Sequence, residues 1–456
     1  MKWAVYNLLF ALVYPLLLPG FLVRMVRRGG YAARMGDRFA LYPDGLFGVD
    51  RPLFDRHAPP RQADGAAGAP VWIHAVSVGE VQVAGQLMRE WRKAEPGVRF
   101  CFSTTSSTGW KMAEREVTAK DVLIYNPLDF PNFVKSALRT VRPRAIVLTE
   151  SELWPNFILQ ARRHGIPLYL INARVSDRSA PRYRLARFFF RDVLSAFTRI
   201  FAQSETDKER LVAAGAPAGR IEVTGSFKFD VARRNEEKER ELRDWVGGGR
   251  ILLGGSTWPG EDEVLLKIYQ RLVGGPAASG SDSPLKLVLA PRHFEKADAV
   301  EANVRKAGFA CVRRRREVEK RGVGGQRCED SAVRLHLSSP PVYLADTTGE
   351  LMGLYGIADV VFVGKSLCAH GAQNMIEPCL CGRPTVVGPH TENFRPVMSD
   401  LLSAGAIVQV GDAEALGAQI ERLLEDDGGL GARAMAAVAR RRGVVARCVA
   451  SMREAL

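Results

Sequence analysis

The feature that most constrains this chain is a set of short, continuous apolar runs, each followed by a longer amphipathic stretch. The runs Val71–Val76, Val98–Phe102, Ala145–Leu148, Leu168–Ile171 and Ile200–Ala202 form a first series. Ile251–Leu253, Leu287–Leu289, Val342–Leu344, Val360–Val363 and Pro384–Val387 form a second. A strand that is apolar at every position must be covered on both faces, so each series predicts a parallel sheet wrapped by helices. The pattern pauses between Asp230 and Gly249, a charged and then Gly-rich stretch. The chain is therefore expected to be α/β, with two Rossmann-like, doubly wound domains facing each other across a cleft. The expected boundaries are residues 29–230, a linker at 231–249, and residues 250–456. In such sheets ligands bind at the carboxyl ends of the strands.

Residues before the first series follow different physics. From Trp3 to Val23 there is no charge, and Pro15, Pro19 and Gly20 interrupt the run. About 20 helical residues span a hydrocarbon core of roughly 30 Å. A tilted span and a deep interfacial helix both fit, and a buried core helix is the bland alternative. Arg24, Arg27 and Arg28 follow the run while Lys2 alone precedes it, which argues against a cleaved signal peptide and for a cytoplasmic remainder. Residues 1–28 are thus expected to be a membrane-anchoring helix.

The chain carries 64 Lys+Arg against 50 Asp+Glu, a net charge of +14, so an anionic partner is expected. A mean hydropathy of −0.08 excludes a multi-span membrane protein. No nucleic-acid-binding module is recognisable, so an anionic membrane surface or a phosphorylated substrate is the better partner. Arg182, Arg184, Arg187 and Arg191, interleaved with Phe188, Phe189 and Phe190, form a basic aromatic helix that either packs its Phe residues inward or faces lipid. Residues 59–70, 274–284 and 313–328 read as loop insertions. Seven scattered cysteines are no disulfide framework. Cys368, His370, Cys379 and Cys381 lack the spacing of common zinc sites and read as packed thiols, so no metal is expected.

Polar loops recur at the strand ends. Ser77-Val78-Gly79-Glu80 puts a carboxylate in the first turn of a helix, where it serves either as a helix-end charge or as a general base. Glu150-Ser151-Glu152, Asn172-Ala173-Arg174, Gln203-Ser204-Glu205 and Lys228 occupy corresponding places. The second series ends its strands in Gly254-Gly255-Ser256-Thr257, Arg292-His293, Gly364-Lys365-Ser366 and Gln373-Asn374 with Glu377. These suit an anion: hydroxyls, a helix N-terminus and a guanidinium fork. No Walker loop, no G-x-G-x-x-G and no Asp-x-Asp pair is present, which weighs against a metal-bridged nucleotide sugar.

Taken together, Trp72–Glu80, Glu152-Leu153-Trp154-Pro155, Asn172-Ala173-Arg174, Gly225–Asp230 and Leu351–Asp359 resemble the Kdo transferases of lipopolysaccharide assembly, in that family's order and over nearly the whole chain. The resemblance implies a GT-B glycosyltransferase with a short membrane anchor. It implies inverting, metal-independent transfer of 3-deoxy-D-manno-oct-2-ulosonic acid (Kdo) from CMP-Kdo to a lipid A precursor, at the cytoplasmic side of the inner membrane, with no cofactor. It makes Glu80 the catalytic base, with Glu152, Ser77 and Arg174 on the acceptor side. Arg292, His293, Glu377, Asn374, Ser256 and Thr257 would hold the donor; Lys228 approaches the donor on our own reading of its place near the hinge. Lys365, Gln373 and Cys368-Ala369-His370-Gly371 depart from the family's commonest pattern. Two rivals stand beside this reading: another GT-B enzyme using a UDP-sugar, and a non-catalytic nucleotide-binding protein.

Overall fold

A computed structural model describes residues 2–28, 32–43, 45–47, 68–231, 234–274, 284–315 and 340–456. Most of the expected insertions at 59–70, 274–284 and 313–328 lie outside the described residues. The chain divides into two compact units, Met1–Val231 with Gly443–Leu456, and Ala232–Arg442.

The first unit holds a seven-stranded parallel sheet of β1 (Val71–His74), β2 (Phe100–Thr104), β3 (Val122–Tyr125), β4 (Ala145–Thr149), β5 (Leu168–Ala173), β6 (Arg199–Ala202) and β7 (Ile221–Val223), in the order β3-β2-β1-β4-β5-β6-β7. The second repeats the plan with β8 (Arg250–Thr257), β9 (Leu285–Pro291), β10 (Cys311–Arg313), β11 (Val342–Leu344), β12 (Val360–Val363), β13 (Thr385–Val387) and β14 (Val408–Gln409), in the order β10-β11-β9-β8-β12-β13-β14. Strand order reverses beside β1 and β4 in one sheet and beside β8 and β12 in the other. At such switch points the loops diverge to opposite faces and leave a crevice. All ten expected strands form. The four additional ones, β3, β7, β10 and β14, are the sheet edges.

Three boundaries differ from expectation. The C-terminal helix Val444–Glu454 belongs to the first unit. Its Val444, Val445, Cys448, Val449 and Met452 join the core of Ile73, Val81 and Val147, and the Asp230 carboxylate accepts from the Gly443 and Val445 amides at 2.7 and 2.8 Å. Residues 231–249 are not a plain linker. Glu236–Val246 is a helix whose Leu242, Trp245 and Val246 are buried, with Trp245 against Tyr343 in the second unit. Finally, Arg313 and Arg314 are not loop residues. Arg313 ends β10 and pairs with Asp346 at 2.8 Å and with Glu301 at 3.1 Å. Arg314 is buried between Glu350 and Glu241. These guanidiniums are consumed by internal carboxylates, because a buried charge without a partner is too costly to keep.

The N-terminal helix, Lys2–Arg28, lies along the first unit. Trp3 packs on Phe189, Phe10 on Phe130, the Tyr6 hydroxyl donates to Asp129 at 3.0 Å, and Lys2 pairs with Asp192 at 2.7 Å. On its other face Leu8, Leu9, Leu12, Val13 and Leu16 are exposed. It is therefore not a buried core helix. Among the described residues no helix is long and apolar enough to cross a membrane; the helix expected to be the anchor docks on the first unit through both ring packing and polar contacts. The side chains of Arg24, Arg27 and Arg28 lie outside the described residues.

The single basic helix expected at 182–194 is two, Ala180–Leu185 and Arg187–Leu194, broken at Ala186. Its phenylalanines divide between the interior and the surface. Phe189 and Phe190 turn inward onto Trp3 and Tyr183, while Phe188 is 68% exposed beside Arg187. Cys379 and Cys381 are buried as packed thiols should be, whereas Cys368 is exposed and does not fit that expectation; the six described cysteines are free.

Candidate functional site

At the carboxyl end of β1 the chain turns into the helix Val78–Ala94. Ser77 caps it, its Oγ accepting from the Glu80 amide at 3.3 Å. The contact is reciprocal, though not a capping box, since Ser77 Oγ and not its amide donates to Glu80 Oε1, at 2.7 Å. Glu80 Oε2 accepts from the Val76 amide at 3.1 Å and from Thr149 Oγ1, at the end of β4, at 2.9 Å. The carboxylate is thus fixed across the β1/β4 switch point by one amide and two hydroxyls. Gly79 has an ordinary backbone, and a side chain there would meet nothing within 4 Å. Neither turn geometry nor packing demands this glycine; what it leaves is space beside Glu80.

The next loop brings a second set together. Glu150 is held at φ +50° and Asn172 at +52°, a conformation costly for any residue but glycine. Asn172 Nδ2 donates to Glu150 at 3.2 Å, and its Oδ1 accepts from the Phe227 amide at 3.1 Å, which ties the ends of β4 and β5 to the Lys228 turn. Burial pushes the Glu150 carboxyl above its ordinary range; the charges of Lys228 and Arg174 pull it back, and Glu80 adds to the rise. Burial likewise lowers Lys228, against the pull of Glu150. Glu80, Glu150, Lys228 and Arg174 are therefore one electrostatic cluster. Glu152 stands apart from it, accepting from Trp154 Nε1 at 2.8 Å and lying 3.8 Å from His74 Nε2.

In the second unit β8 ends at Ser256, with φ +53°, and Thr257, whose buried Oγ1 has no hydrogen-bond partner among the described residues. Such a hydroxyl can still bond a water or a ligand atom. The Arg292 amide donates to the Thr257 carbonyl at 3.0 Å, bringing the exposed Arg292 side chain to the same edge. Glu377 is raised by burial and pulled down by Asn374, whose Nδ2 donates to it at 3.0 Å, and by Arg292. His293 does not join them; it faces Glu295 at 3.2 Å and the Trp258 ring.

Two backbone groups expected to face an anion, the helix N-terminus after β8 and the amides of the loop after β12, have acidic neighbours of their own. The helix after β8 opens with Glu261, Asp262 and Glu263, so its N-terminus carries three acids of its own. The loop after β12 is filled from within. Glu261, wholly buried, accepts from the amides of Trp258, Lys365, Ser366, Leu367 and Cys368 at 2.7 to 3.3 Å. An internal carboxylate occupies the amide nest that a phosphate would otherwise use. Sequence reasoning left Thr149, Asn172 and Glu261 without roles and noted Glu150 without assigning it. The run Glu261-Asp262-Glu263 was the one visible signal.

The chain matches the profile of the 3-deoxy-D-manno-octulosonic-acid transferase (kdotransferase) N-terminal region over residues 33–231. Among characterised relatives, the 3-deoxy-D-manno-octulosonic acid transferase of Bordetella pertussis is 35% identical over 359 residues, 77% of this chain and 78% of that protein. The transferase of Haemophilus influenzae is 31% identical over 423 residues, 92% of this chain and 90% of that protein. Solved structures share the fold alone. Anabaena HepE in complex with UDP aligns over 85% of this chain and 100% of its own, with TM-score 0.55 and 14% identity. Neisseria meningitidis UDP-GlcNAc 2-epimerase aligns over 80% and 94%, with TM-score 0.55 and 14% identity. Two parallel-sheet α/β units of GT-B type, with identity this high over nine-tenths of a relative's length, settle the assignment: the chain belongs to the 3-deoxy-D-manno-octulosonic acid transferases, a family of glycosyltransferases.

Proposed function

We propose that this enzyme transfers Kdo from CMP-Kdo to a sugar hydroxyl of a lipid A precursor, inverting the anomeric centre without a catalytic metal. The observation that carries the reading is the fixed Glu80 carboxylate beside the space left by Gly79. Two of its three donors are hydroxyls, and hydroxyl donors can rotate as the carboxylate takes up a proton. Glu80 removes the proton of the attacking hydroxyl as the new glycosidic bond forms and the bond to the CMP phosphate breaks. Inversion follows from a single displacement. Lys228, Glu150 and Arg174 form a charged set suited to an anionic sugar bearing its own carboxylate. Glu152 and Ser77 complete the acceptor side. On the donor side Arg292 and the unsatisfied Thr257 hydroxyl, with Ser256, answer the charge on departing CMP. Asn374 and Glu377 suit the ribose hydroxyls, and His293 the edge of the nucleotide.

The membrane role follows from the docked helix. Leu8, Leu9, Leu12, Val13 and Leu16 face outward on it, and Leu185 and Phe188 do so among arginines on helices nearby. An apolar face bordered by positive charge seats in the headgroup region of an anionic bilayer. On this reading the enzyme lies on the cytoplasmic surface of the inner membrane instead of spanning it.

The test is mass spectrometry of a lipid A precursor incubated with the full chain and either CMP-Kdo or UDP-sugars. The reading predicts Kdo-sized additions with CMP-Kdo alone, and the same spectra count the sugars added. Additions with a UDP-sugar and none with CMP-Kdo overturn the donor assignment.

A further inference from the structure

His370, a residue the transfer chemistry leaves without a role, lies in the loop between β12 and the helix Ile376–Leu380. In the structure it meets His390 and Glu392 from the loop after β13. The His370 Nδ1 lies 3.1 Å from Glu392 Oε1, the His390 Nδ1 lies 3.5 Å from the same oxygen, and the two ring centroids are 4.0 Å apart. We propose that His370, His390 and Glu392 bind one divalent transition-metal ion of the zinc class.

Geometry supports this. A tetrahedral zinc with bonds of about 2.0–2.1 Å separates its ligand atoms by roughly 3.3–3.4 Å, and the two measured separations bracket that edge. The three candidate ligand atoms all lie within 4.8 Å of one another. Both Nδ1 atoms lie close to a single carboxylate oxygen, so one ion placed among them can meet all three side chains. Two nitrogens and one oxygen are borderline donors, suited to zinc before magnesium or calcium. The His370 side chain is 77% exposed, which leaves the fourth position to water or an anion's oxygen.

The scaffold is built and not incidental. Ser366 accepts from the His390 amide at 3.0 Å, and its Oγ accepts from the Gly388 amide at 2.9 Å. A side chain at Gly388 would run into the backbone of Ser366, and one at Gly371 into Asn393. The Glu261 carboxylate holds the amides of Ser366, Leu367 and Cys368. The two loops are therefore fastened together beneath the cluster. A bound ion would fasten them above as well, and stiffen the segment that leads to Asn374 and Glu377. The proposal adds no step to the transfer reaction and does not rest on it.

The experiment uses the full chain, freed of metal by dialysis against a chelator and titrated calorimetrically with Zn²⁺. One equivalent should bind, and His370→Ala or His390→Ala should each weaken it at least tenfold. Co²⁺ added to the unaltered chain should give visible d–d bands without the near-ultraviolet band of a thiolate ligand, which needs no variant to fold. Absence of a stoichiometric equivalent, unchanged affinity in both variants, or a thiolate band pointing to Cys368 would each overturn the site.

Discussion

Glu80 and Glu261 occupy corresponding places, each in the first turn of the helix that follows the opening strand of its unit, and they do opposite work. Glu80 is 8% exposed and accepts from one amide and two hydroxyls, next to a glycine that leaves space. Glu261 is 0% exposed and accepts from five amides drawn from its own turn and from the loop after β12. The same topology thus makes one carboxylate a reagent and the other a rivet. What separates them is the kind of donor. Hydroxyls can turn and yield when a proton arrives; backbone amides cannot.

The largest expected effect is on the rivet. Glu261→Ala leaves five amides without their acceptor and should cost the second unit roughly 3–5 kcal/mol, read as a lowered denaturant midpoint; an unchanged midpoint would make Glu261 dispensable. Asp129 offers a second structural carboxylate, in the first unit, accepting from the Asn156 and Phe157 amides and from Tyr6. Burial raises it from 3.8 to about 6. Between those values the folded chain binds more protons than the unfolded one, so stability falls as pH rises through the window. Relative to Asp129→Asn, which does not titrate, the wild type should lose about 2 kcal/mol between pH 4 and pH 7. A flat difference would show that Asp129 is not desolvated.

Lys228→Met removes the cation that holds Glu150 down, so the Glu150 carboxyl should rise still further, as carboxyl NMR would record. Transfer should slow about tenfold or more, the worth of a charge-assisted contact. An unmoved Glu150 titration would dissolve the cluster. The smallest effect is the most discriminating. Gly79→Ala should leave stability unchanged or raise it by about 0.5 kcal/mol, yet raise KM for the acceptor, because the added methyl takes the space beside Glu80. If KM stays constant, that space serves no ligand.

The central strands and the loops at their ends were legible because burial on both faces writes itself as uninterrupted apolar sequence. The edge strands were not. Cys311–Arg313 is only partly buried throughout, and Val408–Gln409 has one exposed residue, so neither needs such a run. Arginines 313 and 314 misled for a related reason. Four consecutive arginines look like a solvated loop, and only the fold reveals that Asp346, Glu350 and Glu241 wait for two of them. The candidate base was readable as a motif. Its partner Thr149 was not, since it comes from a strand about seventy residues away. The last helix returns to the first unit because Asp230 caps it, a contact between residues more than two hundred positions apart.

Glu80→Gln and Glu261→Gln change the same atoms at the two corresponding positions, so measuring both transfer rate and unfolding for each tests the central claim most directly. Glu80→Gln should slow transfer by roughly 10²–10⁴-fold while unfolding shifts by no more than about 1 kcal/mol. Glu261→Gln, which turns an amide donor toward amide donors, should lower stability by about 3 kcal/mol or more while the fraction still folded keeps its turnover. Near-normal transfer by a folded Glu80→Gln enzyme would contradict the account.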